Sequence, residues 1–190
     1  MPSLSTDGGR DLVVIALPGV QRFIRESRST SDTRSASEIV AELAAYVAAE
    51  ICASPGCELV IPAPDSAGTD AGMPNRVVAL APAGSGEELA RRVKLAVEER
   101  WSNWVSALKL PHADTSSALP GFPGTQWVCV PCGSGGYPEQ WERAQSLLSA
   151  RKRVRDFTPV EELGRELCMM SPQWPATTKP PPNTRSFGFW

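Results

Sequence analysis

The sequence predicts an α+β domain: one four-stranded sheet, entered in the order β-α-β-β-α-β, with both helices on one face. Three observations carry this. Residues 12–17 (LVVIAL) and 77–81 (VVALA) are apolar runs rich in β-branched residues, each halted by a proline. The first suits a central strand covered on both faces. Two segments of 3.6-residue apolar period open on capping-box patterns, Ser35-x-x-Glu38 and Ser85-x-x-Glu88. Each of these is followed by a shorter strand, 58–62 and 126–131. The order is the split βαβ pattern of a ferredoxin-like sheet, with strands antiparallel and parallel.

In order along the chain, residues 1–10 are polar and are expected to be disordered. After the first strand and Pro18-Gly19, residues 20–28 make two helical turns with Val20, Phe23 and Ile24 inward. Arg22, Arg25 and Arg28 then share one side. Residues 28–37 have no apolar period and read as a polar elbow, the kind of loop where such a fold keeps ligand contacts. The next helix buries Ile39, Val40, Leu43, Ala44, Val47 and Ile51, and Ser54-Pro-Gly56 stops it. Residues 65–72 are a loop of small residues before the third strand. The second long helix carries Leu89, Val93, Ala96, Val97, Trp101, Trp104, Val105 and Leu108 at helical spacing. A Pro/Gly/Ser-rich loop over 111–125 precedes the fourth strand.

The domain therefore spans 11–133. A helical extension over 134–170 follows, with Pro138 in its first turn and Trp141, Ala144, Leu147 and Leu148 buried. Residues 171–190 read as a Pro-rich tail.

Composition excludes several classes. The 190 residues carry a formal charge of −2, so any basic surface is local. No apolar run can span a bilayer, and the N-terminus lacks the charged and apolar regions of a signal peptide. A cytoplasmic chain without a membrane role is expected. Five cysteines are too irregular for a disulfide framework. Cys129-x-x-Cys132 has zinc-knuckle spacing but no second pair, so ordinary strand cysteines are the expectation. The single histidine, His112, makes a hydrolytic triad a poor fit.

Residues 18–43, PGVQRFIRESRSTSDTRSASEIVAEL, resemble the opening signature of the first palm domain in the large subunit of type III CRISPR effector complexes, most closely the Cmr-type (III-B) form. Val20, Gln21, Phe23, Ile24, Arg28, Thr30, Asp32, Ser37 and Leu43 fall at matching positions without a gap, while Gly19 is shifted past the proline. Pro74-Asn75-Arg76, the helix ending at Trp104, and residues 150–157 with Leu167-Cys168 follow in the family's order. The resemblance covers about 11–175. The chain departs at Thr33-Arg34, where the family has Leu-Trp, and at Ala36, where it has glycine. The phosphohydrolase (HD) domain, the second palm with its Gly-Gly-Asp-Asp motif, and the partner cysteines of a zinc site after Cys168 are not seen.

The resemblance implies a palm that is not catalytic alone, with no cyclase, nuclease or polymerase activity and no metal of its own. It implies work in assembly and as half of an ATP-binding pocket, completed by a second palm on a separate polypeptide. Guide RNA and other effector subunits are the implied partners. It further implies that Arg22, Arg25, Arg28 and Arg34 meet nucleotide phosphates or the guide–target duplex; residue spacing alone makes them a solvated face. Thr30, Asp32 and Ser37 are nucleotide contacts on the same grounds, or residues that order the elbow and cap the helix. Asn75 and Arg76 face a neighbouring subunit, or form a turn before a strand. Arg151, Lys152, Arg153 and Arg155 contact RNA or a subunit, or complement a helix C-terminus. The tryptophans sit at core spacings. A different reading is a stand-alone ferredoxin-like RNA-binding module that uses its sheet face, although its first strand lacks the aromatics such domains display.

Overall fold

The computed structural model describes residues 9–17, 20–25, 27, 29–63, 73–107, 124–133 and 136–154, the side chains of Arg22, Phe23 and Arg25 excepted. The elements are β1 (Arg10–Ala16), α1 (Val20–Arg25), α2 (Thr30–Cys52), β2 (Glu58–Ile61), β3 (Arg76–Pro82), α3 (Gly86–Ala107), β4 (Gln126–Val130) and α4 (Gly136–Arg153). The sheet order is β2-β3-β1-β4, and this is the ferredoxin-like α+β fold the sequence predicts. Every neighbouring pair is antiparallel. Strands of like direction are not neighbours, because β3 separates β1 from β2 and β1 separates β3 from β4.

β1 is central because its residues are apolar on both sides. Val13, Ile15 and Leu17 join α2, α3 and alternate residues of β3 in one core. Leu12, Val14 and Ala16 join Val78, Leu80, Val128, Val130 and α4 in a second core. Each fully buried aliphatic side chain contributes about 1.5–3 kcal/mol, so β1 stabilises both layers at once.

α2 and α3 lie on one face. α2 buries Ala36, Val40, Leu43, Ala44, Val47, Ala48 and Ile51, a stripe at three- and four-residue spacing. It ends where Ala53 returns its N–H to Ala49 O and Gly56 turns at φ +71°. α3 begins against the start of β1. The buried Asp11 carboxylate accepts from the N–H groups of Gly84 (2.9 Å) and Gly86 (3.0 Å), capping the helix in place of a local side chain. Gly86 is required there, since a Cβ would stand 2.6 Å from Cys129 Sγ and 2.7 Å from Asp11 Cβ.

α4 covers the opposite face through Ala144 and Leu148. Its first half is fixed by Gln140, whose Nε2 donates to Arg10 O (2.9 Å) and Val130 O (3.2 Å). α4 is thus the third layer of the domain.

Three expectations are corrected. The polar elbow is not a loop from Thr30 onward: residues 30–37 are the first two turns of α2. Ser29 is the N-cap, its hydroxyl accepting from Asp32 N–H at 3.1 Å, so the helix starts well before Ser35. Leu147 is 42% exposed rather than buried, because Leu148 takes the inward position. Trp101, Trp104, Trp127 and Trp141 pack against the cores while only partly buried. The expectations for residues 1–8, the loops over 64–72 and 108–123, and residues 155–190 lie outside the described residues.

Candidate nucleotide and subunit-contact site

β1 runs from the end where Asp11 caps α3 to the end where Ala16 pairs with Arg76 and Gln126. The predicted site residues gather at this second end. α2 has 23 residues, about 34 Å at 1.5 Å per residue. Its C-terminus is held at the first end, where Ser54 Oγ accepts from Arg92 Nη2 of α3. Its N-terminal turns therefore reach the second end. Asn75 is there too, its carbonyl accepting from Leu17 N–H at 2.9 Å.

Arg76 is half-buried and donates from Nη1 to Gln145 Oε1 of α4 at 2.7 Å. Farther along α4, the Arg151 guanidinium stands 5.3 Å from the Trp127 ring centroid, a cation–π contact beside the edge strand β4. Lys152 and Arg153 are exposed in the same last turn. The structure thus brings Thr30, Asp32, Arg34, Ser37, Asn75, Arg76, Arg151, Lys152 and Arg153 to one end of the domain. They occupy different layers, α2 on one side of the sheet and α4 on the other. The side chains of Arg22 and Arg25, and all of Arg28 and Arg155, lie outside the described residues.

The start of α2 has the chemistry of an anion site. Thr30, Ser31, Thr33, Arg34, Ser35 and Ser37 are exposed, and Ala36 alone of these turns is buried. The first N–H groups of a helix have no acceptor within the helix itself, and the positive end of the helix dipole lies here. Two groups are already used: the Ser29 hydroxyl holds Asp32 N–H, and Thr33 Oγ1 donates to Ser29 O at 3.0 Å. Arg34 is paired with Glu38, Nε to Oε1 at 2.7 Å, and this partner raises its pKa. The pair is well exposed and worth little by itself. These turns offer hydroxyls, a helix N-terminus and one arginine, with the carboxylates of Asp32 and Glu38 among them. Among the described residues, no group of three or more His, Cys, Asp or Glu is arranged to hold a metal ion.

Other features bear on function. On the face under α4, Leu12, Val14, Ala16, Val78, Leu80, Val128 and Val130 are buried, from Leu12 and Val14 at 0% to Leu80 at 9%, while Val60 and Ile61 are partly buried; the buried positions are closed to stacking bases. The Arg100 guanidinium lies 5.5 Å from the Tyr46 ring centroid and 5.1 Å from that of Trp104, joining α2 to α3. Cys129 is half-buried and its thiol is pushed up to about 11, first by burial and then by the Asp11 and Glu87 charges. Cys132 is exposed. Sequence reasoning missed Ser29, Asp11, Trp127 as the partner of Arg151, and Gln145. Ser29-x-x-Asp32 was a legible capping signature; the 69-residue separation of Arg76 and Gln145 left no local sign of their bond. No helix among the described residues is long and apolar enough to cross a membrane.

The fold and its cation-bearing end define a three-layered ferredoxin-like α+β domain. The family model described as CRISPR-associated protein Cmr2, N-terminal, matches residues 12–106, half of the chain and all of β1 to α3 but its ends. The chain belongs to that family, and the family places it in a multi-subunit type III CRISPR effector complex. Comparisons with curated proteins and with solved structures returned no match.

Proposed function

We propose that this domain is a non-catalytic first palm of a type III-B (Cmr-type) effector subunit, working in assembly and forming half of an ATP-binding pocket. The supporting observation is that the family match includes β1, α1 and α2, whose exposed N-terminal turns offer hydroxyls and helix N–H groups to phosphate. Thr30, Ser37 and Arg34 would hold the phosphates, Arg34 exchanging Glu38 for the ligand, and Asp32 orders the turn. ATP, when bound, would supply the phosphoryl group, and the carboxylate-held metals that its transfer needs would come from a second palm. Arg76 and Arg151–Arg153 would meet RNA or a neighbouring subunit from the α4 side.

Tagging the chain in its native cells and purifying it in mild salt tests the partners. A repeat-derived guide RNA and several similar-sized subunits are expected with it, and recovery of the chain alone overturns the assembly role. For the pocket, ATP binding should require a second-palm protein and weaken with Thr30→Ala and Ser37→Ala together. Metal-dependent formation of cyclic oligoadenylate by the isolated chain would overturn the non-catalytic reading.

A further inference from the structure

On the face under α4, β1 carries Leu12, Val14 and Ala16, and the last is the smallest of the three. Ala16 pairs with Arg76 of β3 on one side and with Gln126 of β4 on the other. Residues directly opposite in antiparallel strands send their side chains to the same face. Arg76 and Gln126 therefore flank the Ala16 methyl on the α4 side of the sheet. Gln145 comes from α4 itself, and its Oε1 accepts from Arg76 Nη1 at 2.7 Å.

The hydrogen bonding at this spot does not close within the protein. A guanidinium only donates, so the Arg76 bond decides which end of the Gln145 amide is the oxygen. Nε2 is the end left over. It is buried with no hydrogen-bond partner in the protein, and the same holds for Gln126 Oε1. One is a donor, the other an acceptor, and they do not meet directly. Folded chains match nearly all such buried groups, because an unmatched one keeps its full desolvation cost. The contrast with Gln140 is direct. One turn earlier on the same helix, its Nε2 reaches both Arg10 O and Val130 O.

We propose that an ordered water molecule is bound over Ala16, accepting from Gln145 Nε2 and donating to Gln126 Oε1. Water is the ligand this chemistry selects. It accepts and donates at once, it bridges polar atoms too far apart for a direct bond, and two partners are enough to hold it in a buried place. Arg76, Gln145, the water and Gln126 then form one network that ties β3, α4 and the edge strand β4 together. The inference rests on the packing under α4 and does not depend on the function proposed above.

The test is made on the full chain labelled with 15N-glutamine. Cross-relaxation between the Gln145 amide protons and water should carry the sign of water that tumbles with the protein, and a rotating-frame measurement separates it from proton exchange. Gln126→Leu should abolish that signal. Thr125→Val, which removes the buried hydroxyl next in sequence, should leave it intact. Urea midpoints give a second reading: Gln126→Leu with Gln145→Leu should lower the midpoint by less than the sum of the two single shifts. The unsubstituted chain decides the matter even if a variant fails to fold. A signal of the surface-water sign or none, one that survives Gln126→Leu, one lost with Thr125→Val, or additive midpoints would each overturn the proposal.

Discussion

Asp11 and Gly86 are 75 positions apart in sequence, yet the Asp11 carboxylate accepts the first free N–H of α3. The contact joins the central strand to the N-terminus of a core helix through a charge that the helix dipole favours. Asp11→Ala leaves the buried N–H of Gly86 and the more exposed N–H of Gly84 without their acceptor and should cost about 1–3 kcal/mol. A lower urea midpoint checks this, and Asp11→Asn should fall between. Gly86→Ala should also destabilise, since its methyl meets Cys129 Sγ and Asp11 Cβ inside contact distance. Unchanged midpoints in all three would refute the capping role.

The start of α2 gives a second prediction. Ser29→Ala removes the acceptor for Asp32 N–H and should cost about 1 kcal/mol. Hydrogen exchange at Asp32 and Thr33 should quicken, while that of Val40 and Leu43, deep in the core, should not. If α2 began at Ser35, the exchange at Asp32 and Thr33 would not respond.

Cys129 supplies a pH dependence. Its thiol ionises near 9.0 in an ordinary setting and near 11 here. Between these values the folded chain keeps a proton that the unfolded chain has lost. The contribution is therefore complete below about pH 9 and is lost as pH rises through about 11. Cys129→Ser should flatten the fall in stability over this range. At pH 8, alkylation should find the exposed Cys52 and Cys132 well before Cys129; equally fast labelling of Cys129 would contradict its burial.

Arg76 and Gln145 can be read by a double-mutant cycle. Arg76→Ala and Gln145→Leu should each destabilise, and their coupling should be about 1.5 kcal/mol, as for a hydrogen bond to a charged group. No coupling would mean that the bond does not hold α4 to β3.

What was legible in the sequence follows from the range of the forces involved. β1 was readable because an unbroken β-branched run has few alternatives to a strand buried on both sides. The Asp11 cap was not, because the helix it serves starts after four intervening elements. The first turns of α2 were misread because their polarity removes the apolar period on which a helix is recognised; one cap and the core contact of Ala36 hold them helical. Leu147 and Leu148 are adjacent and equally apolar, so only the position of the sheet decides which is buried. Of the site, the residues were nameable from resemblance, but their gathering at one end depends on the strand order and on α4 crossing the second face. The contact of Arg151 with Trp127 is likewise a product of packing.

The double-sided burial of β1 has a consequence for alignment. In most half-exposed strands, a one-residue slip is rejected because it turns polar side chains into the core. Here a slip would exchange Val13 and Ile15 for Leu12 and Val14, and apolar groups would still fill both sides. Discrimination falls to the first two residues of the strand. Arg10 must reach Glu58 and Gly56 O, and Asp11 must meet the helix N-terminus. A slipped strand would leave an unmatched carboxylate against a hydrocarbon interior. The frame of the whole sheet is thus set by two charged side chains at one end, and the placement of every group at the other end inherits it.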